Sequence, residues 1–283
     1  MGLLRQQFPH MEINNSTLRT MHNNFPQRVI NAITFGSPSI ASDVYYAAAR
    51  LPSYATAEDF APTGYQMNGP LYEGSELTTC FKDDKMYVVK GLMPEELSRA
   101  QQFIRAFGES YPPYIITFEL ITSSRGNTYM IMPAMRYSLE RRRFKPYLTS
   151  DEVNLLWRNL STALIHLHKG GFSFMDIKPA NICYDDGPLI TGYFLIDLGS
   201  IVPFGRCSSS TEAYVPIDQE MYPASAEIDW WMFGATLAEF GCGVNGLSIG
   251  FGKRFSKQEI ISQLRDHLPD PVRAEFLSIV ENL

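Results

Sequence analysis

Two short stretches are the most informative parts of this sequence: residues 174–181 read Phe-Met-Asp-Ile-Lys-Pro-Ala-Asn, and residues 196–199 read Ile-Asp-Leu-Gly. In the first stretch, Asp176, Lys178 and Asn181 can place a carboxylate, an ammonium and an amide around one point. A second carboxylate, Asp197, follows a separate apolar run that predicts a strand. One carboxylate can orient a hydroxyl, the amide and the other carboxylate can hold Mg²⁺, and the ammonium can offset phosphate charge. The set indicates phosphoryl transfer from a metal-bound nucleotide.

These stretches resemble the catalytic loop and the metal-binding motif of eukaryotic-type protein kinases. The family pattern His-Arg-Asp-x-Lys-Pro-x-Asn matches from Asp176 onward, and Asp-Phe-Gly matches 197–199 with Leu198 in the middle. The similarity runs in order from about Gly69 to about Phe240. It implies an α+β, bilobal protein-kinase-like fold, with a small β-rich N-lobe that carries one main helix and a larger helical C-lobe.

The resemblance also implies a role for each matching polar residue. Asp176 would orient the acceptor hydroxyl, and Lys178 would stabilise the transferred phosphoryl group. Asn181 and Asp197 would bind ATP through the Mg²⁺ that they hold. Lys90 ends an apolar run and would contact the α- and β-phosphates, although a lone Lys at a strand end is usually solvated.

The nucleotide-binding part of the pattern is altered. Residues 69–74 read Gly-Pro-Leu-Tyr-Glu-Gly, so Gly69 and Gly74 match the family's Gly-x-Gly-x-x-Gly while Leu71 replaces the middle glycine. Glycine lets backbone N–H groups approach phosphate closely, and Leu71 is therefore expected to weaken or reshape the cradle. By the same match Met135 would bind adenine through its backbone. A plain hairpin and ordinary core packing are the structural alternatives for these segments.

The segment after Lys90 predicts a helix over residues 93–107, with Pro94 and two acids at its start. Its predicted apolar stripe comprises Leu97, Ala100, Ile104 and Phe107. Glu96 is the candidate ion-pair partner for Lys90, but it comes early for that position. Carboxylates in a first turn more often complement the helix dipole, and the alternative is that this chain lacks the ion pair.

The departures from the family pattern leave two function hypotheses. Phe174 and Met175 stand where the family has His-Arg, and Phe174 could fill the His position by packing. Met175 removes the Arg that receives an activation-loop phosphate, which predicts activity independent of such phosphorylation. The first hypothesis is an active protein Ser/Thr kinase, with Lys178 and Thr211 favouring Ser/Thr acceptors. The alternative is a pseudokinase scaffold that binds nucleotide or partner proteins without efficient transfer.

The landmarks predict three regions along the chain. Residues 1–65 precede them and form an extension, either a cap or a partner-binding arm, with one candidate helix at 42–51. Residues 66–135 correspond to the N-lobe and hinge, and residues 136–283 to a C-lobe that is truncated or minimal. An amphipathic helix is predicted from Ser150 up to the catalytic loop, with an apolar face formed by Val153, Leu156, Trp157, Leu160, Leu164 and Leu167. A later apolar helix carries Asp229, and the resemblance implies that this residue caps the backbone of that loop.

Composition limits the remaining possibilities. The 283 residues suffice for two lobes, and 45% hydrophobic with 19% charged residues is typical of a globular protein. A net charge of −6 argues against nucleic acid as the main partner, so a protein substrate with a Ser/Thr acceptor is expected.

Four cysteines without a Cys-x-x-Cys pair indicate neither zinc nor disulfides. No secretory signal or membrane-length apolar run is visible, which makes a cytoplasmic location the default expectation. Nothing in the sequence indicates an oligomeric state.

Overall fold

The computed structural model describes residues 55–71, 77–123, 125–142, 148–186, 190–207, 210–215, 223–241 and 256–280. The described residues fall into two compact units. The first contains the described residues up to Glu95 together with Phe118–Pro133, and the second contains Glu96–Thr117 and the described residues from Ala134 onward. The candidate helix at 42–51 and Gly74 lie outside the described residues.

The first unit is built on a five-stranded antiparallel sheet in the order β1-β2-β3-β5-β4. Its strands are β1 (Gln66–Pro70), β2 (Thr78–Lys82), β3 (Lys85–Gly91), β4 (Glu119–Thr122) and β5 (Thr128–Pro133). The β-branched and aromatic residues of β3 suit this central place in the sheet. Lys90 lies near the end of β3, opposite Met130 of β5.

The segment just before β1 packs into the core of the same unit. It forms a single helical turn, α1 (Ala57–Phe60), and then the 3-10 turn Ala61–Thr63. Phe60 is fully buried with its ring 5.3 Å from that of Tyr129, and Asp59 Oδ2 accepts a hydrogen bond from the Tyr129 hydroxyl at 3.2 Å. Burial and the neighbouring Asp59 raise the pKa of Tyr129 to about 12. These contacts make the segment part of the folded core.

Helix α2 (Pro94–Phe107) begins at the predicted proline, but its buried face differs from the predicted stripe. Ile104 is 42% exposed, and Phe103 takes its place in the core. The ring of Phe103 lies 4.9 Å from Phe107 and 5.4 Å from Tyr111. Positions 103 and 104 both border a stripe that contains 100 and 107, and the larger aromatic side chain buries more apolar surface.

The second unit is mainly helical. Its larger helices are α3 (Ser150–Lys169), α4 (Ala226–Phe240), α5 (Lys257–His267) and α6 (Asp270–Val280). Its short strands are β6 (Tyr137–Ser138), β7 (Phe172–Ser173), β8 (Ile182–Asp186), β9 (Ile190–Leu195) and β10 (Val202–Pro203). They pair in the order β6-β8-β9, and β7 pairs separately with β10. A sheet-based first unit and a helical second unit confirm the predicted α+β class.

Helix α3 ends at Lys169, shortly before the predicted catalytic loop. It begins at a capping box in which Thr149 Oγ1 accepts from Glu152 N and Glu152 Oε2 accepts from Thr149 N. Burial alone would raise the pKa of Glu152, but hydrogen bonds from Arg142 and Thr149 outweigh it and lower that pKa. The predicted apolar face is buried throughout: Val153, Leu156, Trp157, Leu160, Leu164 and Leu167. Gly170 is the C-cap of the helix. A residue with a Cβ does not fit at this position, because the Cβ would lie 2.3 Å from the Phe107 ring.

Helix α4 is the central core element of the second unit. It is buried from Ile228 to Phe240, as a helix surrounded by other elements must be. The ring of Trp157 stacks on Phe233 with centroids 5.4 Å apart and joins α3 to α4. Asn159 of α3 is buried, and its Oδ1 accepts a hydrogen bond from Tyr193 N. Among the described residues, no helix has the length and apolarity that crossing a membrane would need.

Candidate active site

The carboxylate of Asp229 supports the site from within the second unit. It is fully buried in the first turn of α4. Its Oδ2 accepts from Phe174 N at 2.7 Å and its Oδ1 accepts from Met175 N at 2.8 Å. Met175 has a φ of 67°, a left-handed conformation that is unfavourable for a residue with a Cβ. The predicted capping role of Asp229 is therefore confirmed: it holds a strained turn one residue before Asp176.

A histidine that the sequence did not single out completes this support. His168 Nε2 lies 2.9 Å from Asp229 Oδ2, and the imidazole is mostly buried. His168 stands in the last turn of α3, where a histidine commonly interacts favourably with the helix dipole. Its contact with Asp229 instead links α3, α4 and the turn that precedes the catalytic loop.

Four donors fix the carboxylate of Asp176 in one orientation. Oδ2 accepts from Lys178 Nζ at 2.7 Å and from Asn181 Nδ2 at 2.8 Å. Oδ1 accepts from the backbone N–H of Thr211 at 3.1 Å and from its hydroxyl at 2.6 Å. The side chain is 12% exposed, so the carboxylate is shielded while one edge still reaches solvent. The ammonium and amide that the sequence placed around this carboxylate do meet there.

The amide of Asn181 is oriented by its neighbours. Its Nδ2 donates to both the backbone oxygen and Oδ2 of Asp176, at 2.9 and 2.8 Å. The short 3-10 turn Pro179–Asn181 sets this geometry, with Asn181 N donating to Lys178 O. Because both bonds use the nitrogen, Oδ1 is the atom of this amide suited to meet a cation.

Asp197 lies at a second strained turn. It has φ and ψ of 65° and 64° and begins the 3-10 turn Leu198–Ser200. The preceding residue, Ile196, donates its N–H to Asn181 O at 2.9 Å, so the segments that carry Asn181 and Asp197 are joined directly. Amide and carboxylate oxygens are ligands that Mg²⁺ favours, and the role of these two residues as magnesium ligands stays a prediction.

The hydroxyl of Thr211 bridges the two predicted catalytic side chains. It donates to Asp176 Oδ1 and accepts from Lys178 Nζ, both within 2.7 Å. Thr211 follows Asp176 by 35 residues, and in the sequence it served only as a pointer to the acceptor type. The site thus already holds an aliphatic hydroxyl between a carboxylate and an ammonium.

The other predicted nucleotide-binding residues lie on well-defined elements. Gly69 lies in β1 with a φ of 136°, which a residue with a Cβ rarely adopts, and Lys90 lies in β3. Met135 is half-buried just after β5. Glu96 lies in the first turn of α2, and its pairing with Lys90 stays a prediction. The other glycine of the predicted cradle, Gly74, is outside the described residues.

The fold and the Asp176 cluster define a protein-kinase-type domain. The protein kinase domain family matches residues 74–282, and the chain belongs to this family. The resemblance read from the sequence is thereby confirmed.

Individual relatives are distant. The cAMP-dependent protein kinase catalytic subunit 2 of Drosophila melanogaster is 26% identical over 246 residues, which cover 81% of this chain and 67% of that protein. A probable CTD kinase subunit alpha homolog of Encephalitozoon cuniculi (strain GB-M1) is 26% identical over 158 residues, covering 51% of this chain and 45% of that protein. The chain therefore spans less than half the length of the second relative.

A solved structure shares the fold. The Cydia pomonella granulovirus kinase PK-1 aligns with a TM-score of 0.57 at 18% identity, covering 83% of this chain and 90% of that one. Together with the family match, this likeness confirms the predicted bilobal, kinase-like α+β fold.

Proposed function

We propose that this chain transfers the γ-phosphoryl group of ATP to Ser/Thr hydroxyls of protein substrates. The observation that carries the proposal is the Asp176 carboxylate, which Lys178 and Asn181 orient and which already binds the hydroxyl of Thr211. Asp176 would orient the acceptor hydroxyl in the same way and take up its proton. Because Thr211 already donates twice to Oδ1, the incoming hydroxyl would take the place of the Thr211 hydroxyl, while Lys178 and Asn181 keep the carboxylate in its orientation.

The charged neighbours of Asp176 have complementary roles. Lys178 would place its ammonium against the developing charge of the phosphoryl group. Asn181 Oδ1 and the Asp197 carboxylate would hold Mg²⁺, which when bound neutralises charge on the triphosphate. Lys90 would contact the α- and β-phosphates.

The remaining contacts would complete nucleotide binding. Gly69 and Gly74 would allow the backbone to approach the phosphates, and Met135 would bind adenine through its main chain. Leu71 replaces the middle glycine of this loop and is 39% exposed. Its side chain would keep the backbone farther from the phosphates than a glycine would.

The position of Thr211 supports Ser or Thr as the acceptor residue. Its hydroxyl sits on a short side chain and reaches Asp176 Oδ1 at 2.6 Å while its own backbone N–H binds the same oxygen at 3.1 Å. Backbone and hydroxyl are therefore both close to the carboxylate. A tyrosine hydroxyl stands a whole ring away from its backbone, so a main chain passing at this distance suits Ser or Thr.

Incorporation of labelled phosphate tests the proposal. The protein is incubated with labelled ATP, Mg²⁺ and a generic basic protein, beside the variant Asp197→Asn. We expect incorporation by the unmodified chain and its near-complete loss in the variant, because an amide carries no charge for the cation. Phosphoamino acid analysis should recover phosphoserine and phosphothreonine, and recovery of phosphotyrosine alone would contradict the acceptor assignment.

A binding scaffold is the second candidate. It is favoured by Leu71 in the glycine loop and by Phe174 and Met175 in place of His-Arg. Nucleotide-dependent thermal stabilisation of the unmodified chain without any incorporation would support this function over the enzyme.

Activity should not require phosphorylation of the activation segment. Met175 is fully buried and uncharged, so position 175 offers no cation to an incoming phosphate. We expect the triple variant Ser208→Ala, Ser209→Ala, Ser210→Ala to keep most of the incorporation rate. Phosphatase treatment of the unmodified chain before the assay should likewise have little effect. Loss of most activity in either experiment would show that a phosphate on this segment is needed.

A further inference from the structure

We infer that Asp185 is a positioning residue for the base of the nucleotide, because it fixes the main chain that follows Met135. Its effect on nucleotide binding rests on the proposed function, whereas its effect on the main chain does not. The contact that carries the inference joins residues 49 positions apart: Arg136 N donates to Asp185 Oδ1 at 2.8 Å. A hydrogen bond to a carboxylate is charge-assisted and stronger than one to a neutral acceptor.

The bond sets the orientation of the peptide unit between Met135 and Arg136. This unit is trans and planar, so its C=O and its N–H point in opposite directions. Because the Arg136 N–H points at Asp185, the Met135 carbonyl points away from that carboxylate. The bond therefore restricts ψ of Met135, one of the two dihedral angles that orient the main-chain groups of this residue. Restricting it before the nucleotide arrives lowers the entropy cost of binding.

Regular pairing does little to hold this part of the chain. Strand β6 is two residues long, and its ladder with β8 has only two pairs. The last pair is Tyr137 with Tyr184. Arg136 and Asp185 are the next residues beyond it on the two strands. The Asp185 side chain serves as the acceptor there and extends the restraint to the residue directly after Met135.

The irregular pairing of β8 explains why the Asp185 side chain is available. The register between β8 and β9 shifts between Tyr184 and Asp186, which is where Asp185 lies. Bulges of this kind often re-aim a side chain next to a binding site. Asp185 is exposed, so water competes for its carboxylate. Loss of the bond is therefore expected to weaken nucleotide binding several-fold without unfolding the second unit.

The chain that follows β6 is anchored independently. Leu139 is fully buried, and Arg142 forms an ion pair with Glu152 in the first turn of α3. These contacts hold the turn after β6 in place. The bond to Asp185 acts at the other end of the same segment, next to Met135, where the main chain is proposed to meet adenine.

Hydrogen exchange tests the restraint in the absence of nucleotide. Exchange is followed by mass spectrometry on a peptide that covers residues 133–139 and so reports on the Arg136 amide. Asp185→Ala should exchange faster there than the unmodified chain. Asp185→Asn keeps an oxygen acceptor and should be intermediate. Asp266→Ala is the matched control, because it removes an exposed carboxylate of α5 that accepts from Ser262 Oγ of the same helix.

Competition between two ligands tests the link to the base. A bound fluorescent ATP analogue is displaced either by Mg²⁺–ATP or by Mg²⁺–tripolyphosphate, which carries phosphates but no base. Asp185→Ala should bind ATP about fivefold more weakly, the size expected for one lost hydrogen bond, and should bind tripolyphosphate as the unmodified chain does. Asp266→Ala should bind both normally. Equal weakening for the two ligands would indicate a general distortion and would overturn the inference, as would unchanged exchange in both Asp185 variants.

The two proposals fail in different ways. Faster exchange and weaker ATP binding in Asp185→Ala, without phosphoryl transfer by the unmodified chain, would leave the positioning role standing and remove the proposed enzyme. Transfer by the unmodified chain, together with normal ATP affinity in Asp185→Ala, would leave the enzyme standing and remove the positioning role. If both proposals are right, Asp185→Ala raises KM for ATP and leaves kcat nearly unchanged.

Discussion

Replacing Asp176 with Asn is expected to lower kcat for phosphoryl transfer by about 10²–10⁴-fold, the range that a positioned general base contributes. The carboxylate accepts four hydrogen bonds, two at each oxygen. An amide of the same shape has an oxygen at only one of the two positions. It therefore cannot take up the proton of the substrate hydroxyl, and it cannot accept hydrogen bonds from all four donors. Steady-state kinetics with labelled ATP measures the change.

The experiment separates chemistry from binding. Asp176→Asn should retain affinity for the Mg²⁺–ATP analogue, because the cation ligands are assigned to Asn181 and Asp197. The control is Asp151→Asn, which makes the same substitution on the exposed first turn of α3 and should leave kcat nearly unchanged. A variant at position 176 that transfers phosphate at the rate of the unmodified chain would refute the role given to this carboxylate.

Replacing Asp229 with Asn is expected to cost about 3 kcal/mol of the free energy of unfolding of the second unit. The carboxylate is fully buried and accepts from two backbone N–H groups, with His168 Nε2 also at 2.9 Å. In the variant the amide nitrogen would face a donor, which leaves at least one buried N–H without an acceptor. The left-handed backbone at Met175 would then lose support as well.

Thermal and urea unfolding measure this loss. A decrease in Tm on the order of 10 °C is expected for a change of this size in a domain of 150–250 residues. Glu227→Gln is the matched control: it lies in the same first turn of α4 but is exposed, and should change Tm only slightly. Equal Tm values for the Asp229 variant and the unmodified chain would show that the buried carboxylate does not support the loop.

Much of the fold was predictable from local pattern. The apolar spacing of α3 matches its buried face position by position because one face of this helix packs on the core. The capping role of Asp229 was predictable because the family that this chain resembles has an Asp at this place that caps the catalytic loop. By contrast, the stripe of α2 was wrong at Ile104, since periodicity alone cannot choose between adjacent positions 103 and 104.

The candidate site also has features that the sequence predicted and features that it did not. The predicted groups Asp176, Lys178 and Asn181 meet because they are within five residues of one another, where the local 3-10 turn leaves few alternatives. Asp197 was predictable as a second carboxylate, but its left-handed backbone was not: the conformation is unfavourable for Asp in isolation and is imposed by its surroundings.

The chemical groups of the site follow from the residue types and their close spacing, which already require a carboxylate, an ammonium and an amide at one turn. The contacts that hold these groups depend on the folded chain: Thr211 on Asp176, His168 on Asp229, and Arg99 on Gly199. These partners are 35, 61 and 100 residues apart. At such separations contact depends on the path of the folded chain between them, which no local spacing encodes.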